Sequence, residues 1–509
     1  MSESIRQRVL AHDRFQVELR HSYRLQPDRK SQYRITTYIF LPQSLGVDGS
    51  VYSPQEFYRR VQNYVRLRTP AFTLQALCRE SRSPLLQLRQ TLAEPDWADK
   101  PLQRERIITS LKFLRAILNS RLNRRLRRMN PATARQVVDR EEHVRDEAQR
   151  FIDDVSPVVA YFRAIAGPLH SPDAEQTVAQ DYRLTDESIS LLLEESYLSA
   201  YSLVEQFVTG EERSRLHAAL SRLVEQENEY RAGQGYRVRL LPNSDNEEYL
   251  FRSSALKKFT SNVLYLAASV QTEGRTLEQL LFAAAAGISM IFATVIAFYF
   301  QARFGTFTLP VFTALVVGYM FKDRIKEVGR LLSVRLLRNV LYDRRIILQT
   351  SDHRHDLGFL REKVGFVPKE ELPDAVRKLR RVGLDTGLDG DGQQESVIDY
   401  TKTVTLFSQK FDRISPGGPA LTGVSDILRL DIRPFLHKMA DPVQRKPLLR
   451  EGRVQMVRCR KVYHVHLISV IRDGNGSAPR YTASQLTLNR KGIVRVRRLS
   501  LPSPQAPER

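Results

Sequence analysis

Cysteine is nearly absent from this chain of 509 residues, which has only Cys78 and Cys459. Two thiols so far apart offer neither a disulfide framework nor a metal-ligand spacing, and the scarcity fits a reducing compartment. The amino terminus, MSESIRQRVLAHDRF, also lacks an apolar run. A cleaved secretory signal is therefore not expected, and Glu3 and Asp13 argue against an organelle transit peptide. No G-x-S-x-G, H-E-x-x-H, kinase signature set, P-loop ending or dinucleotide fingerprint occurs. Those absences remove the familiar local signatures of catalysis without touching triads assembled from distant residues. Internal repeats and a sustained heptad array are missing as well.

Acid is in deficit. Lys and Arg number 79 against 57 Asp and Glu, giving a formal net charge of +22. Such a balance suits an anionic membrane surface or plain solubility. Nucleic acid is the weaker reading, because the arginines are dispersed and no RNP, zinc-finger or G-x-x-G pattern accompanies them.

Long apolar runs are confined to one block, residues 280–321, whose only ionisable side chain is Arg303. Residues 280–300 supply about 21 apolar positions, enough at ~1.5 Å per residue to cross a hydrocarbon core of ~30 Å. Residues 304–321 form a second candidate span of ~27 Å. Pro310 also permits a shorter helix capped by Thr308, reaching ~20 Å in a shallow or re-entrant turn; two full spans are the favoured expectation. Lys257, Lys258 and Arg275 precede the block, and Lys322, Arg324, Lys326, Arg330, Arg335 and Arg338 follow it. The positive-inside rule then places both flanks, and both termini, in the cytoplasm, with residues 301–303 outside. Ala283-x-x-x-Gly287, Ala293-x-x-x-Ala297 and Ala314-x-x-x-Gly318 put small residues at helical spacing, where two helices or two copies of the chain can approach closely.

The expected architecture is a multi-domain α+β membrane protein. A two-helix transmembrane hairpin separates a mainly helical amino-terminal cytoplasmic region from a smaller α+β or β-rich carboxy-terminal one. In detail, residues 1–100 hold a strand hairpin (15–23 with 32–40, turning at Pro27-Asp28) and helices, including one that runs from Ser53-Pro54 toward Arg68. Residues 101–279 are helical. There Ile107, Leu111, Leu114, Leu118, Leu122 and Leu126 make one stripe that Asn130-Pro131 ends, and Arg115 intrudes on it. A second helix runs from Asp186 as cap to Gly210 as stop, a third covers 211–231, and 236–241 suggests a short strand. Residues 322–350 read as a helical arm, with Gly329 weakening it by ~1 kcal/mol relative to Ala. Residues 351–394 read as a linker, 395–500 as the β-rich domain with strands at 397–411, 454–471, 481–488 and 493–499, and 501–509 as a tail.

Candidate chemistry is thin. Asp352-His353-Arg354-His355-Asp356 is dense in ligand-type side chains but matches no metal spacing. His464 and His466 share a strand face without a third ligand. Asp385, Asp389, Asp391 and Glu395 miss the calcium-loop spacing. Ser415-Pro-Gly-Gly-Pro lacks the Lys of a phosphate loop and reads as a turn, and the arginine-rich 121–128 reads as a bundle helix with a basic face, one that could also lie on lipid or RNA. The reading is of a membrane-anchored scaffold, sensor or complex component without cofactor or metal. Its expected partners are anionic lipids, other proteins and a second copy of itself through the hairpin. A tethered enzyme for an anionic substrate, and a nucleic-acid-binding protein, are the alternatives.

Overall fold

A computed structural model describes residues 5–26, 29–134, 137–170, 175–236, 240–273, 275–305, 308–351, 353, 355–382, 395–474 and 476–499. The chain is a mixed helix and sheet protein with a β-rich carboxy-terminal region, and among these residues one helix, Thr276–Phe304, is long and apolar enough to cross a membrane.

Two antiparallel sheets form the centre. The smaller has the order β1 (Ile5–Ala11), β2 (Gln16–Arg24), β9 (Gly423–Asp431), β4 (Val61–Leu67). The larger runs β14 (Gly492–Leu499), β13 (Arg480–Asn489), β12 (Tyr463–Asp473), β3 (Lys30–Pro42), β8 (Glu395–Phe407), β7 (Asp356–Phe366), β6 (Arg344–Gln349), β5 (Ala267–Gln271). Both read as strands because β-branched and aromatic residues alternate with polar ones, so that each has one apolar face. Those faces meet. Val17 and Leu19 of β2 and Leu428 and Leu430 of β9 pack with Ile39, Leu41, Leu467 and Leu486 of the large sheet.

The expected division into separate amino- and carboxy-terminal units does not describe these sheets. β2 pairs with β9, and β3 pairs with both β8 and β12, so strands from the two ends of the chain alternate. Accordingly, 15–23 and 32–40 do not form a hairpin with each other: they belong to different sheets. Residues 351–394, expected as a linker, supply β7 and the helix Asp374–Val382, and the arm of 322–350 ends in β6. The helix from Ser53-Pro54 stops early, as α1 (Pro54–Arg60), because Val61, Val65 and Leu67 are needed on the buried face of β4. The stretch 454–471 is broken, with β11 (Arg453–Arg460) pairing back on β10 (Val443–Arg450) before β12 begins. Only part of 236–241 lies within the described residues.

The helical region is an insertion between β4 and β5: α2 (Leu74–Leu77), α3 (Pro84–Leu92), α4 (Pro101–Met129), α5 (Arg140–Ala164), α6 (Gln176–Phe207), α7 (Gly210–Gly233) and α8 (Glu247–Ser261). The stripe from Ile107 to Leu122 is buried in the bundle core, while Phe113 and Ala116 on another face of α4 enter the sheet core. One helix thus joins the two units. Asp186 is not a cap; it lies inside α6, buried, accepting hydrogen bonds from Tyr230 (2.7 Å) and Tyr236 (2.9 Å). Gly210 opens α7 instead of merely stopping α6.

A second insertion separates the neighbouring strands β5 and β6: α9 (Arg275–Phe304) and α10 (Leu309–Val340). Gly305, at φ 78°, closes α9 with its N–H on the Gln301 carbonyl, and Phe312 N–H bonds the Thr308 carbonyl at the start of α10. α10 therefore starts where the shorter reading placed it. Ile296 lies against Gly318 and Ala285 against Gly329, so the helices run antiparallel. In this register the apolar part of α10 faces only the second half of α9, and the charged stretch from Lys322 to Arg330 faces the first half.

Gly329 has its reason in this contact, since a Cβ there would stand 2.9 Å from the Cβ of Ala285, whereas one at Gly287 meets nothing within 4 Å. Gly329→Val is expected to cost about 1–3 kcal/mol more than Gly287→Val by overpacking, the propensity term being common to both. Thermal unfolding of the two variants under identical conditions checks it.

Candidate functional site

The inner and outer faces of the small sheet carry the chain's most unusual polar chemistry. On the inner face, the Lys402 ammonium of β8 is fully buried, 2.7 Å from Asp426 Oδ2 of β9 and 3.0 Å from Glu362 Oε1 of β7. Glu362 also accepts from Tyr400 OH at 2.6 Å and from Arg344 Nε at 2.5 Å. Burial pushes the Glu362 carboxyl up, but Lys402, Arg344 and the hydrogen bonds outweigh it and hold the group below its usual range. For Asp426 burial prevails, and its carboxyl is raised despite Lys402. The ammonium is raised, because the two carboxylates overcome desolvation. His21 of β2 stands beside them, its Nδ1 4.0 Å from Asp426 Oδ2. The cluster is buried and joins β7 and β8 of the large sheet to β9 of the small one.

The outer face is different. Strand alternation sends Arg20, Ser22 and Arg24 of β2 outward while His21 and Tyr23 point in. Arg6 and Arg8 of β1 and Ser425 of β9 stand on the same side, directly across the ladder: Arg6 opposite Ser22, Arg8 opposite Arg20, Ser425 opposite Ser22. With Arg68 and Thr422 they line a cleft of about 420 Å³. Five of its eight lining residues are arginines and none is a carboxylate. Arg20 forks onto Glu18 (2.6 Å), which also takes Arg429 (3.1 Å); burial pushes the Glu18 carboxyl up, and those two arginines bring it below its usual range. Partial burial, then Arg6 and Arg24, push the Arg68 guanidinium down. Ser22 and Ser425 hydroxyls lie 3.2 Å apart.

Guanidinium groups facing one another across a ladder repel, a cost that a bound polyanion removes. Each can fork onto two oxygens of a phosphate or carboxylate, and the hydroxyls add donors. None of the eight lining residues carries an imidazole, thiol or carboxylate, so the lining can hold an anion but supplies no base to activate a nucleophile.

The residues singled out from the sequence lie elsewhere and stay apart. His353 Nδ1 is 3.0 Å from Gln349 Oε1, and Asp356 accepts from Gln349 Nε2 at 2.9 Å; Asp352 and Arg354 are outside the described residues. His464 and His466 do share a face, against Thr487 (3.4 Å) and Gln485 (3.2 Å) of β13. Asp385, Asp389 and Asp391 fall outside the described residues, while Glu395 receives Arg380 at 2.6 Å. Ser415 to Pro419 is a turn, with Gly418 N–H on the Ser415 carbonyl. In the 121–128 run, Arg125 binds Glu147 and Asp154 of α5 and Arg128 binds Glu147, so part of the basic face packs inside the bundle. Among the described residues no three His, Cys, Asp or Glu side chains group as a metal site. The arginine cleft escaped sequence reading because its residues span 6–425. The one local sign was Arg-x-Ser-x-Arg at 20–24.

No protein-family model matches the chain, and no characterised protein shows significant sequence similarity to it.

Burial, followed by the nearby Lys402, pushes the His21 imidazole from 6.5 down to about 3. The unfolded chain takes up that proton below pH ~6.5 and the folded chain does not, so His21 costs stability as pH falls, by about 1.4 kcal/mol per unit. Between pH 7 and 5 the stability of the wild type should therefore drop roughly 2 kcal/mol more than that of His21→Leu. Denaturant midpoints at the two pH values measure the difference.

Proposed function

We propose that this is a membrane-anchored binding protein whose arginine cleft takes a phosphate-bearing anion. The reading is carried by one observation: five guanidinium groups share a cleft with no carboxylate among its lining residues. Hydroxyls without a neighbouring base favour capture over catalysis, so a scaffold, sensor or complex component is preferred to a tethered enzyme.

Anchoring rests on α9, whose Leu280, Ile288, Ile291, Val295 and Phe298 are all at least 60% exposed. β5 and β6 pair directly, Gln271 opposite Arg345, so the helices must return to where they left. Both folded parts then lie on one side, and the cations flanking the helices make it the cytoplasmic side of an inner, plasma-type membrane.

Depth follows from the register of α9 on α10. Insertion of all of α9 would carry Lys322, Asp323, Arg324, Lys326 and Glu327 into hydrocarbon, at about 2.5–3.5 kcal/mol each near the centre. Shallow insertion leaves Leu280, Ile288, Met290 and Ile291 outside the core, at about 1.5–3 kcal/mol each. The charges weigh more. About 13 residues of each helix, ~20 Å, then enter the hydrocarbon, and the turn stops short of the far surface.

Two measurements test this. Titrating the detergent-solubilised chain with inorganic diphosphate by calorimetry should give binding that Arg68→Gln weakens about tenfold or more, the worth of one hydrogen bond to a charged group. Equal affinity in wild type and variant would remove the cleft from the account. Separately, Gln301→Cys in intact cells should resist an impermeant thiol reagent; labelling from outside would establish a full crossing.

A further inference from the structure

Among the described residues the ribbon β10–β11 packs on no other element. All eight residues of each strand are exposed, including Leu449 at 70% and Val454 at 69%. An isolated two-stranded ribbon is marginal in water, so one that packs on nothing calls for a surface to meet. Its turn is well made, with Glu451 (φ 53°) and Gly452 (φ 73°) both in the left-handed region that a tight two-residue hairpin uses.

Its side chains are graded. Toward the tip, Leu449 opposes Val454 and Pro447 opposes Met456; nearer the base, on the same face, Arg445 opposes Arg458. Arg450 opposes Arg453 beside the turn. Six basic residues, Arg445, Lys446, Arg450, Arg453, Arg458 and Arg460, stand against Glu451 alone. Two directly opposed arginine pairs disfavour the ribbon by itself and favour it on an anionic surface.

Strand register fixes where the ribbon points from. β12 begins, β3 ends, β8 begins, β7 ends, β6 begins and β5 ends at one edge of the large sheet, with His466 opposite Phe40, Phe40 opposite Val397, Phe366 opposite Ile398 and Gln271 opposite Arg345. β11 feeds β12 at that edge, and Lys461 N–H on the Pro442 carbonyl ties the ribbon's base there. α9 leaves β5 and α10 enters β6 at the same edge, four or five strand spacings away, about 19–24 Å. Eight residues of ribbon reach ~27 Å from the edge. Along α10, the passage from charged to apolar at Lys322 lies 18 residues from its end at Val340, also ~27 Å. Lys322 there sits over the Tyr319 ring at 3.7 Å, a cation and an aromatic of the kind found at a bilayer interface.

We propose that β10–β11 is a second membrane contact, the apolar side chains of its outer half entering the headgroup layer and its arginines binding anionic lipid. This rests on the anchoring of α9 and α10. The occupant is a lipid surface because Pro447, Leu448, Leu449, Val454 and Met456 gather in the outer half of the ribbon, just behind Arg450 and Arg453 and near the level where the helices turn apolar, and because no aromatic platform for a nucleic-acid base lies on the ribbon.

The test uses the full chain with Cys78→Ser and Cys459→Ser, carrying an environment-sensitive dye at Leu449→Cys or at Val317→Cys of α10. Each is reconstituted in discs of phosphatidylcholine with or without phosphatidylglycerol. The dye at 449 should shift to the blue and be quenched by bromolipid in the anionic discs. Adding Arg445→Glu and Arg458→Glu should weaken that response at least about tenfold while the dye at 317 stays quenched. A water-exposed dye at 449 with a quenched dye at 317 overturns the ribbon contact and leaves the anchor standing. Dyes unquenched at both positions overturn the anchor too. A blue shift at 449 that grows with protein concentration in detergent alone assigns the tip to a second copy and likewise overturns the proposal.

Discussion

Lys402 holds its ammonium between Glu362 and Asp426 where two sheets meet, and the rest of the β region is arranged around that contact. Three charges out of water carry a penalty of several kcal/mol each, repaid only at hydrogen-bond distance with remaining lone pairs satisfied. Tyr400, Arg344 and Asn63 supply that for Glu362. A well-packed apolar trio of the same volume would hold the sheets as firmly. What the charges add is a heavy cost for any arrangement that separates them, since one unpaired buried ion costs about 3–5 kcal/mol. β7 and β8 of the large sheet and β9 of the small one are thereby fixed against one another.

That fixation reaches the outer cleft through strand periodicity. Along β2 and β9, His21 and Asp426 point in while Arg20, Ser22, Arg24 and Ser425 point out. A slip of one residue would exchange the two sets and carry guanidinium groups into the core. The inner ion cluster and the outer arginine cleft are therefore two faces of one register. Grouping like charges on the outside is a cost that the tightly specified inside can sustain, which fits binding sites being less stable locally than the scaffold that bears them.

Local patterns were legible from the sequence alone. The stripe on α4, the start of α1 at Ser53-Pro54, where the Ser53 hydroxyl accepts from Glu56 N–H, the strands 481–488 and 493–499 and the apolar course of α9 follow from periodicity or end chemistry, which depend only on near neighbours in the chain. What was illegible is non-local. Lys402, Glu362, Asp426 and His21 are unremarkable in their own segments, and nothing local says that β2 pairs with a strand some 400 positions away. The helix expected through 61–67 failed for the same reason, since the burial demanded of Val61 and Val65 by β9 outweighs their modest helical preference. Arg115 was flagged as an intruder on an apolar stripe; it is buried and donates to Ser188 at 3.1 Å, a partner on α6 that only the bundle supplies. The second apolar stretch, expected to run from 304, is helical only from Leu309, and its level against α9 depends on Gly318 and Gly329, which no hydropathy count weighs.

The order of the chain adds a constraint on assembly. β5 and β6 are hydrogen-bonded neighbours, so α9 and α10 amount to a long insertion in the connection between two paired strands. Every strand before α9 except β1 needs a partner encoded beyond residue 340: β3 needs β8 and β12, and β2 and β4 need β9. The large sheet cannot close until the segment after α10 exists, and loop-closure entropy makes such distant pairings slow. The apolar helix is complete long before that. A segment of this hydropathy left waiting in water beside unpaired strands invites aggregation, and under the proposed anchoring its early transfer to lipid protects the half-made sheet. Because α9 and α10 must come back to adjacent strands, the proposed anchor enters and leaves by the same face of the membrane.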